Sequence, residues 1–539
     1  METVKNIHNI PAEKFTFTKK SDLKHDSKFD TKPVTYFQGA MKRFCKNKGA
    51  VVGAIVIVIL FLFAIIGPIV SPYTVKYYDT MFKSAYPRNE LCVKWGWDFW
   101  DGCKEKTNES YLNYFRDYAL GEEIGKPVIK NGKVSVSKDG KAYSYRYDTY
   151  YGVGFGKQYN LIKVSEFEDI QRYQDETGRQ VLYPTVKLSD RVTRAGQDKK
   201  TADPNIYYKA KVEKDQIIPI LDENGNIQVN YWMYKVDGRK PGTAADYTSK
   251  MRMEGEEGVE IDGVRYYYAY GTKQQGNTVE VRMDYYEYYC YYHTQVAKDG
   301  ISEPSFLFGT TSDNAGIGGK DIFTCLSSGA WFSFMFAITV AVVNLVVGVI
   351  WGSIAGYNGG KIDLAMERFT DVLGAVPTII IITLLKYHMG SASQAIVLFI
   401  AFFATGWIGM AGTTRMQFYR FKNQEYVLAA RTLGARDGRI MFKHIFPNAI
   451  GTLVTSCALV IPGMIYSETN FSYLGIINLE GGNITSVGTM LAAGQADLLN
   501  ASYVAVFPCV FLVLLMLSFN LFGNGLRDAF NPSLRGVEE

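Results

Sequence analysis

The strongest constraint on this chain is where its charged residues do not occur. Ala50–Val70 is an uncharged apolar run of twenty-one residues, Ile322 to Gly360 holds no charge, Tyr387 to Thr414 holds none, and Asn448 to Gly523 contains neither Lys nor Arg. A bilayer's hydrocarbon core is crossed by about 20 consecutive apolar residues. These stretches therefore predict transmembrane helices: span one at 50–70, span two after Ile322, span four within 387–414, and spans five and six after Asn448, with Pro462 and Pro508 inside them. Span three is short, because only fourteen residues separate Asp371 from Lys386 and Pro377 lies among them.

The charges that remain set the orientation. Residues 1–49 carry eleven Lys/Arg against five Asp/Glu. Between spans four and five lie Arg415, Arg420, Lys422, Arg431, Arg436, Arg439 and Lys443, against only Glu425 and Asp437. Burying seven such cations would cost on the order of 20 kcal/mol, so this stretch is a loop in water. Basic loops stay on the cytoplasmic side, and six spans with both termini inside satisfy every asymmetry. The rival reading of 50–70 as a cleaved signal peptide fails, since the run exceeds an h-region and no small-x-small site follows it. The net charge of +5 is small for 539 residues, and no basic stripe with interleaved aromatics points to nucleic acid.

Residues 71–305 are different in kind. They hold 30 of the 38 tyrosines, including Tyr266–Tyr268 and the run from Tyr285 to His293. Turn pairs at Asn131-Gly132, Asp139-Gly140, Asn224-Gly225 and Asp262-Gly263 sit between alternating β-formers, which is hairpin chemistry. Ser165 and Glu168 have capping-box spacing before a helix that Gly178 would stop. The segment predicts a separate α+β domain with an antiparallel sheet, outside the cell because span one starts inside. Its tyrosines serve either as strand-forming core or as contact area for a partner.

The basic loop also has a shape. Tyr426, Val427, Ala429, Ala430 and Leu433 fit one helical stripe, Gly434 breaks it, and a second amphipathic turn runs from Asp437 to Pro447. Gly348, Gly352 and Gly356 recur every four residues in span two, a smooth face for close helix packing.

Catalytic and ligand motifs fail. The candidate phosphate loop at Gly316–Lys320 has Asn314 for its first glycine and Asp321 where Ser/Thr should bind magnesium. Gly152, Gly154 and Gly156 misplace the third glycine of a dinucleotide fingerprint. Asp222, Asn224 and Asn226 lack the glycine and glutamate of a calcium loop. The five histidines, His8, His25, His293, His388 and His444, include no ligand-spaced pair, and the seven cysteines show no C-x-x-C. Cys92 and Cys103 could pair in an oxidising exterior, leaving Cys290 over.

With Ala429, Ala430, Gly434 and Pro447 at its spacing, the loop resembles the coupling loop of ABC-importer permeases, and LAARTLGA…FKHIFPNA is most similar to the oligopeptide/dipeptide (peptide/nickel) branch. Leu428 stands in place of the signature Glu, and Phe446 in place of its Leu. GTTSDNAGIGGKD before span two, Ile354–Thr378 with its G-Y-x-G-G…D…R…D…P order, and NPSLR near the end are also similar to that family, over about residues 40–75 and 306–535. The resemblance implies a type I importer half-channel. Its parts would be a cytoplasmic segment at 1–49, span one at 50–70, an inserted extracytoplasmic domain at 71–305, a permease core at 306–526 with the coupling loop at 415–447, and a cytoplasmic tail at 527–539. It also implies lipid around the spans and four partners: a second permease, two ATPase subunits that bind ATP and magnesium, an external binding protein, and a peptide as cargo. The chain itself would bind no cofactor or metal. Glu425, Ala429, Ala430, Arg431, Gly434 and Pro447 would then be the coupling residues. A membrane receptor with an outer ligand domain is the alternative, and a surface-anchored enzyme a weaker third.

Overall fold

A computed structural model describes residues 36–530 apart from 131–133, 139, 155–158, 214–215, 236–249, 275, 313–317, 391–392 and 480–484. The Asn131-Gly132 turn, Asp139, Gly156, the phosphate-loop positions Asn314 and Gly316, His8, His25 and the NPSLR segment fall outside the described residues.

Two helices open the described chain: α1 (Tyr36–Lys46) and α2 (Lys48–Val70), the latter capped by Asn47, whose side chain accepts from the Ala50 N–H. Along α2, Val52, Ile55, Ile59, Leu62 and Ile66 form an uncovered stripe at three- and four-residue spacing. Gly53, Leu60, Ala64 and Gly67 are buried on its other side. A Cβ on Gly53 would lie 2.7 Å from the Ser518 carbonyl, so the absent side chain sets how closely these helices approach. An apolar stripe left open beside a packed small-residue face is what a lipid solvent permits and water penalises.

Between Val70 and Ile322 the chain forms helices α3 (Glu90–Lys94), α4 (Tyr111–Ile124), α5 (Val164–Thr177) and α6 (Tyr285–Tyr291) with antiparallel strands. The largest sheet runs Asn160–Lys163, Thr278–Met283, Gly271–Lys273, Lys250–Met251, with Leu182–Tyr183 also paired to 278–283. Phe167, Ile170, Val279 and Val281 fill its core. Asp262 and Gly263 both have positive φ, +51° and +73°, and join strands Val259–Ile261 and Val264–Tyr268 in the primed turn their types favour.

Two expectations for this region need correction, and the open question of a Cys92–Cys103 pair is answered. The Tyr285–His293 run is not strand but helix α6, capped by Asp284 and continued by a π-turn over Tyr292–Ala297. The helix ending at Gly178 starts at Val164, so Ser165 lies inside its first turn and makes no capping box; its N-cap is Lys163. Cys92 and Cys103 are free thiols.

The ends of this region run side by side. Ser84 donates its N–H to Thr311 O (3.2 Å), Thr310 to Ala85 O (2.9 Å) and Arg88 to Phe306 O (3.0 Å). The Tyr503 hydroxyl, at the start of the last long helix, donates to Ala85 O (3.0 Å) and Thr310 O (3.1 Å) and ties this stalk to the membrane helices.

The remaining helices are α7 (Ile322–Asn358), α8 (Gly360–Gly374), α9 (Thr378–His388), α10 (Gln394–Phe421), α11 (Glu425–Thr432), α12 (Asp437–Arg439), α13 (Phe446–Tyr473), α14 (Val487–Ala496) and α15 (Tyr503–Phe530). A π-turn over Ile440–Ile445 makes α12 and α13 one continuous run from Asp437 to Tyr473. Among the described residues five helices are long and apolar enough to cross a bilayer, and a sixth crossing exists if α8 and α9, bent by 69° around Pro377, are one broken span. The break explains why span three looked short: Pro377 has no N–H to continue a helix, so the crossing divides there.

Candidate coupling surface

Span α10 runs past the expected end of span four to Phe421, so Arg415 and Arg420 belong to its last turns rather than to the loop. Arg415 is paired, not simply solvated. Its Nε and a terminal nitrogen donate to Asp363 Oδ1 (2.6 Å) and Oδ2 (2.7 Å), and its terminal nitrogens reach Glu367 Oε1 and Oε2 at 3.1 Å. Asp363 and Glu367 are one helical turn apart on α8, so a single planar guanidinium clamps both carboxylates. Tyr419 Oη donates to the same Asp363.

The hairpin beyond is built around Gly434, whose φ of +78° is a left-handed conformation that residues with a Cβ adopt at a cost. Ala435 N–H bonds to Ala430 O and Gly434 N–H to Arg431 O, both at 3.0 Å. These two bonds are the 6→1 and 5→2 pair of a Schellman ending. No atom lies within 4 Å of where a Gly434 Cβ would be, so the requirement for glycine is conformational and not steric.

The chain then turns back through α12, and Val427, Ile440 and Ile445 close on Phe418 as a small buried core. The apolar stripe expected on α11 therefore divides. Val427 turns inward, whereas Tyr426 and Leu433 point away, Leu433 being 88 % exposed. Pro447 does not end the second helix. It lies just after the π-turn over Ile440–Ile445, inside the continuous run from Asp437 to Tyr473, and the helix runs on into the membrane.

Tyr357, at the end of α7, links both limbs of the hairpin. Its hydroxyl donates to Asp437 Oδ1 and accepts from Arg431 at 3.4 Å. Sequence reasoning gave this residue no role; an aromatic hydroxyl at the watery end of a long span was the available signal. Glu425 and Ala429 are exposed, Ala430 half-buried. Leu428, Leu433 and Phe442 are exposed on the hairpin, as are Arg431, Arg436, Arg439 and Lys443, so its surface mixes apolar and basic side chains.

Gly348, Gly352 and Gly356 lie against α10. A Cβ on Gly352 would meet Ala411 O at 2.2 Å, one on Gly348 the Met410 side chain at 2.7 Å, and one on Gly356 the Arg415 O at 2.7 Å. Sequence reasoning also missed Glu468, fully buried in α13, which accepts from Ser333 Oγ (3.0 Å) and Ser472 Oγ (2.9 Å).

A bundle of long apolar helices with a helical hairpin projecting from one end is the architecture of a multi-pass membrane permease. Residues 348–536 match the family model for the binding-protein-dependent transport system inner membrane component, and residues 35–87 match the N-terminal TM domain of oligopeptide transport permease C. The oligopeptide transport system permease protein OppC of Bacillus subtilis (strain 168) is 42% identical over 217 residues, 40% of this chain and 70% of that protein. The dipeptide transport system permease protein DppC of the same organism is 37% identical over 218 residues, 40% of this chain and 67% of that one. Among solved structures, an inward-facing MetNI methionine ABC transporter aligns with 38% of this chain and 96% of its own, at 16% identity and a TM-score of 0.29. The chain belongs to the oligopeptide/dipeptide permease family of ATP-binding cassette importers. It is a multi-pass membrane protein and the permease subunit of such an importer.

Proposed function

We propose that this permease conducts peptides inward, and that it receives its energy through the hairpin between Glu425 and His444. Peptide cargo is supported by the names of the relatives. The chain would pair with a second permease, two ATPase subunits holding ATP and magnesium, and an external binding protein. Both termini lie in the cytoplasm on this reading, and residues 71–305 form an α+β domain on the outer side, a platform for the loaded binding protein. Catalysis belongs to the ATPase partners.

The observation that carries the reading is the continuous helix from Asp437 to Tyr473. An ATPase groove that closes on the Leu433 tip displaces α11 and α12 together, because the buried Val427–Ile440–Ile445 core and the Tyr357 link hold them as one body. The displacement passes along this run, through the π-turn over Ile440–Ile445 and past Pro447, into the membrane. Coupling of this kind relies on shape and apolar contact, in keeping with Leu428 at the signature Glu position. The test is to purify the chain with its partners and measure ATP hydrolysis while peptide-loaded binding protein is added. Stimulation by peptides supports the reading; stimulation by nickel or another solute and not by peptides refutes the cargo assignment.

A further inference from the structure

The segment Leu91–Trp100 places four aromatic rings in a row. Trp95 and Trp97 lie with ring centroids 5.0 Å apart, Trp97 and Phe99 stack at 5.2 Å, and Phe99 meets Trp100 at 5.7 Å. Four large apolar side chains here are uncovered: Leu91 (55 %), Trp95 (63 %), Trp97 (45 %) and Phe99 (56 %). In water such a strip would mark an aggregation site or an interface.

Its position decides between solvents. Trp100 lies parallel to Phe507 (6.3 Å, 3°) and to Phe308 (6.3 Å, 13°), and Phe308 stacks on Phe507 at 4.2 Å. Phe507 is in the second turn of α15, and Phe323, which packs on Phe308 at 5.3 Å, is in the first turn of α7. The strip therefore sits at the level where the long helices begin. Val506, next to Phe507, begins an uncovered face of α15 formed with Val510, Val513 and Leu517.

The local backbone is built to present the rings. Trp95, Gly96 and Trp97 donate their N–H groups to Leu91, Val93 and Cys92 carbonyls at 3.0, 3.2 and 3.0 Å, so lowering the segment into a less polar medium strands none of these donors. The one acid within the row, Asp98, is exposed and is neutralised by Arg146, which donates to its carboxylate and, at 2.8 Å, to its carbonyl. Indole rings with an apolar body and one N–H donor favour the headgroup level of a bilayer.

We propose that Leu91, Trp95, Trp97 and Phe99 form an interfacial anchor that inserts into the lipid headgroup and upper acyl region beside α15 and fixes the 71–305 domain to the bilayer surface. The occupant is lipid, because the strip joins the ring stack at the ends of α7 and α15 where these bilayer-length apolar helices begin, beside faces of α15 that the chain itself leaves uncovered. The inference needs only that the chain spans a membrane, so it can fail while the coupling reading stands.

The test is fluorescence of the full chain in proteoliposomes, as wild type and as the W95F/W97F variant, which keeps a ring at each position. The expected result is that the emission lost in the variant is strongly quenched by lipids brominated near the headgroup end of their chains and is shielded from aqueous iodide. Quenching of that emission by iodide, with indifference to bromolipid, overturns the proposal. So does shielding that appears only after binding protein is added, which would make the strip a protein-docking face.

Discussion

Replacing Gly434 with valine tests the coupling hairpin at its most constrained point. The residue sits at φ +78°, and a left-handed conformation costs an L-residue roughly 1–2 kcal/mol, more for a β-branched one. The two closing bonds, Ala435 N–H to Ala430 O and Gly434 N–H to Arg431 O, must then strain or break, each contributing about 1 kcal/mol. Together these terms disfavour the observed turn by on the order of 3 to 4 kcal/mol, a shift of roughly a few hundredfold away from it. The membrane helices are untouched, so the complex should still assemble. In proteoliposomes the variant should retain ATP hydrolysis while peptide uptake per ATP falls several-fold. Gly434→Asn provides the control, because asparagine tolerates the left-handed region, and the open space around this position accepts its side chain. Unchanged uptake in the valine variant, or equal damage from asparagine and valine, would refute the conformational argument.

Gly352→Ala drives a Cβ to within 2.2 Å of Ala411 O, so α7 and α10 must part; overpacking of this kind costs about 1–3 kcal/mol, and the thermal midpoint of the purified chain should drop. Tyr357→Phe removes the hydroxyl shared by Asp437 and Arg431 and should weaken coupling by about 1 kcal/mol without lowering expression, read as reduced uptake per ATP. Burial pushes the Asp284 carboxyl from its ordinary 3.8 up to about 6, against the pull of Lys126 and with added repulsion from Glu287. A folded-state value above the unfolded one means the folded form binds the proton more tightly. This group therefore favours folding most below about pH 3.8, and that contribution is lost as pH rises through about 6. Asp284→Asn keeps the acceptor that caps Tyr286 N–H and should flatten the dependence of amide-exchange protection in α6 across that window.

The membrane helices were legible because a single rule dominates there: a charge-free run of sufficient length has nowhere else to go. The Asp262-Gly263 hairpin was legible because both positions need positive φ. The Tyr285–His293 run was not, since a stretch of nearly one residue type carries no period to distinguish helix from strand, and the decision fell to Asp284 as a cap. The Ser165/Glu168 spacing misled for the opposite reason: a local pattern was present, but the strand Asn160–Lys163 delivers the chain into the helix two residues earlier than Ser165 would. In the coupling region, the break at Gly434 could be read locally. The Arg415 clamp on Asp363 and Glu367 joins residues about fifty positions apart, and the inward turn of Val427 depends on Phe418 and Ile440. Neither has a local signal. Pro447 was taken for a stop because proline usually ends helices, whereas here it follows a π-turn and the helix continues through it to Tyr473.

The claim on which the rest depends is that a separate ATPase grips the tip of the hairpin. A photoreactive residue in place of Leu433, 88 % exposed at that tip, measures it directly in the intact complex, with the same residue in place of Tyr387, 84 % exposed at the end of α9, as the control. The account predicts that position 433 cross-links to the ATPase subunit, with a yield that changes on ATP binding, and that position 387 does not. Cross-linking from 387 to the ATPase, or none from 433 in a complex that hydrolyses ATP, would contradict it.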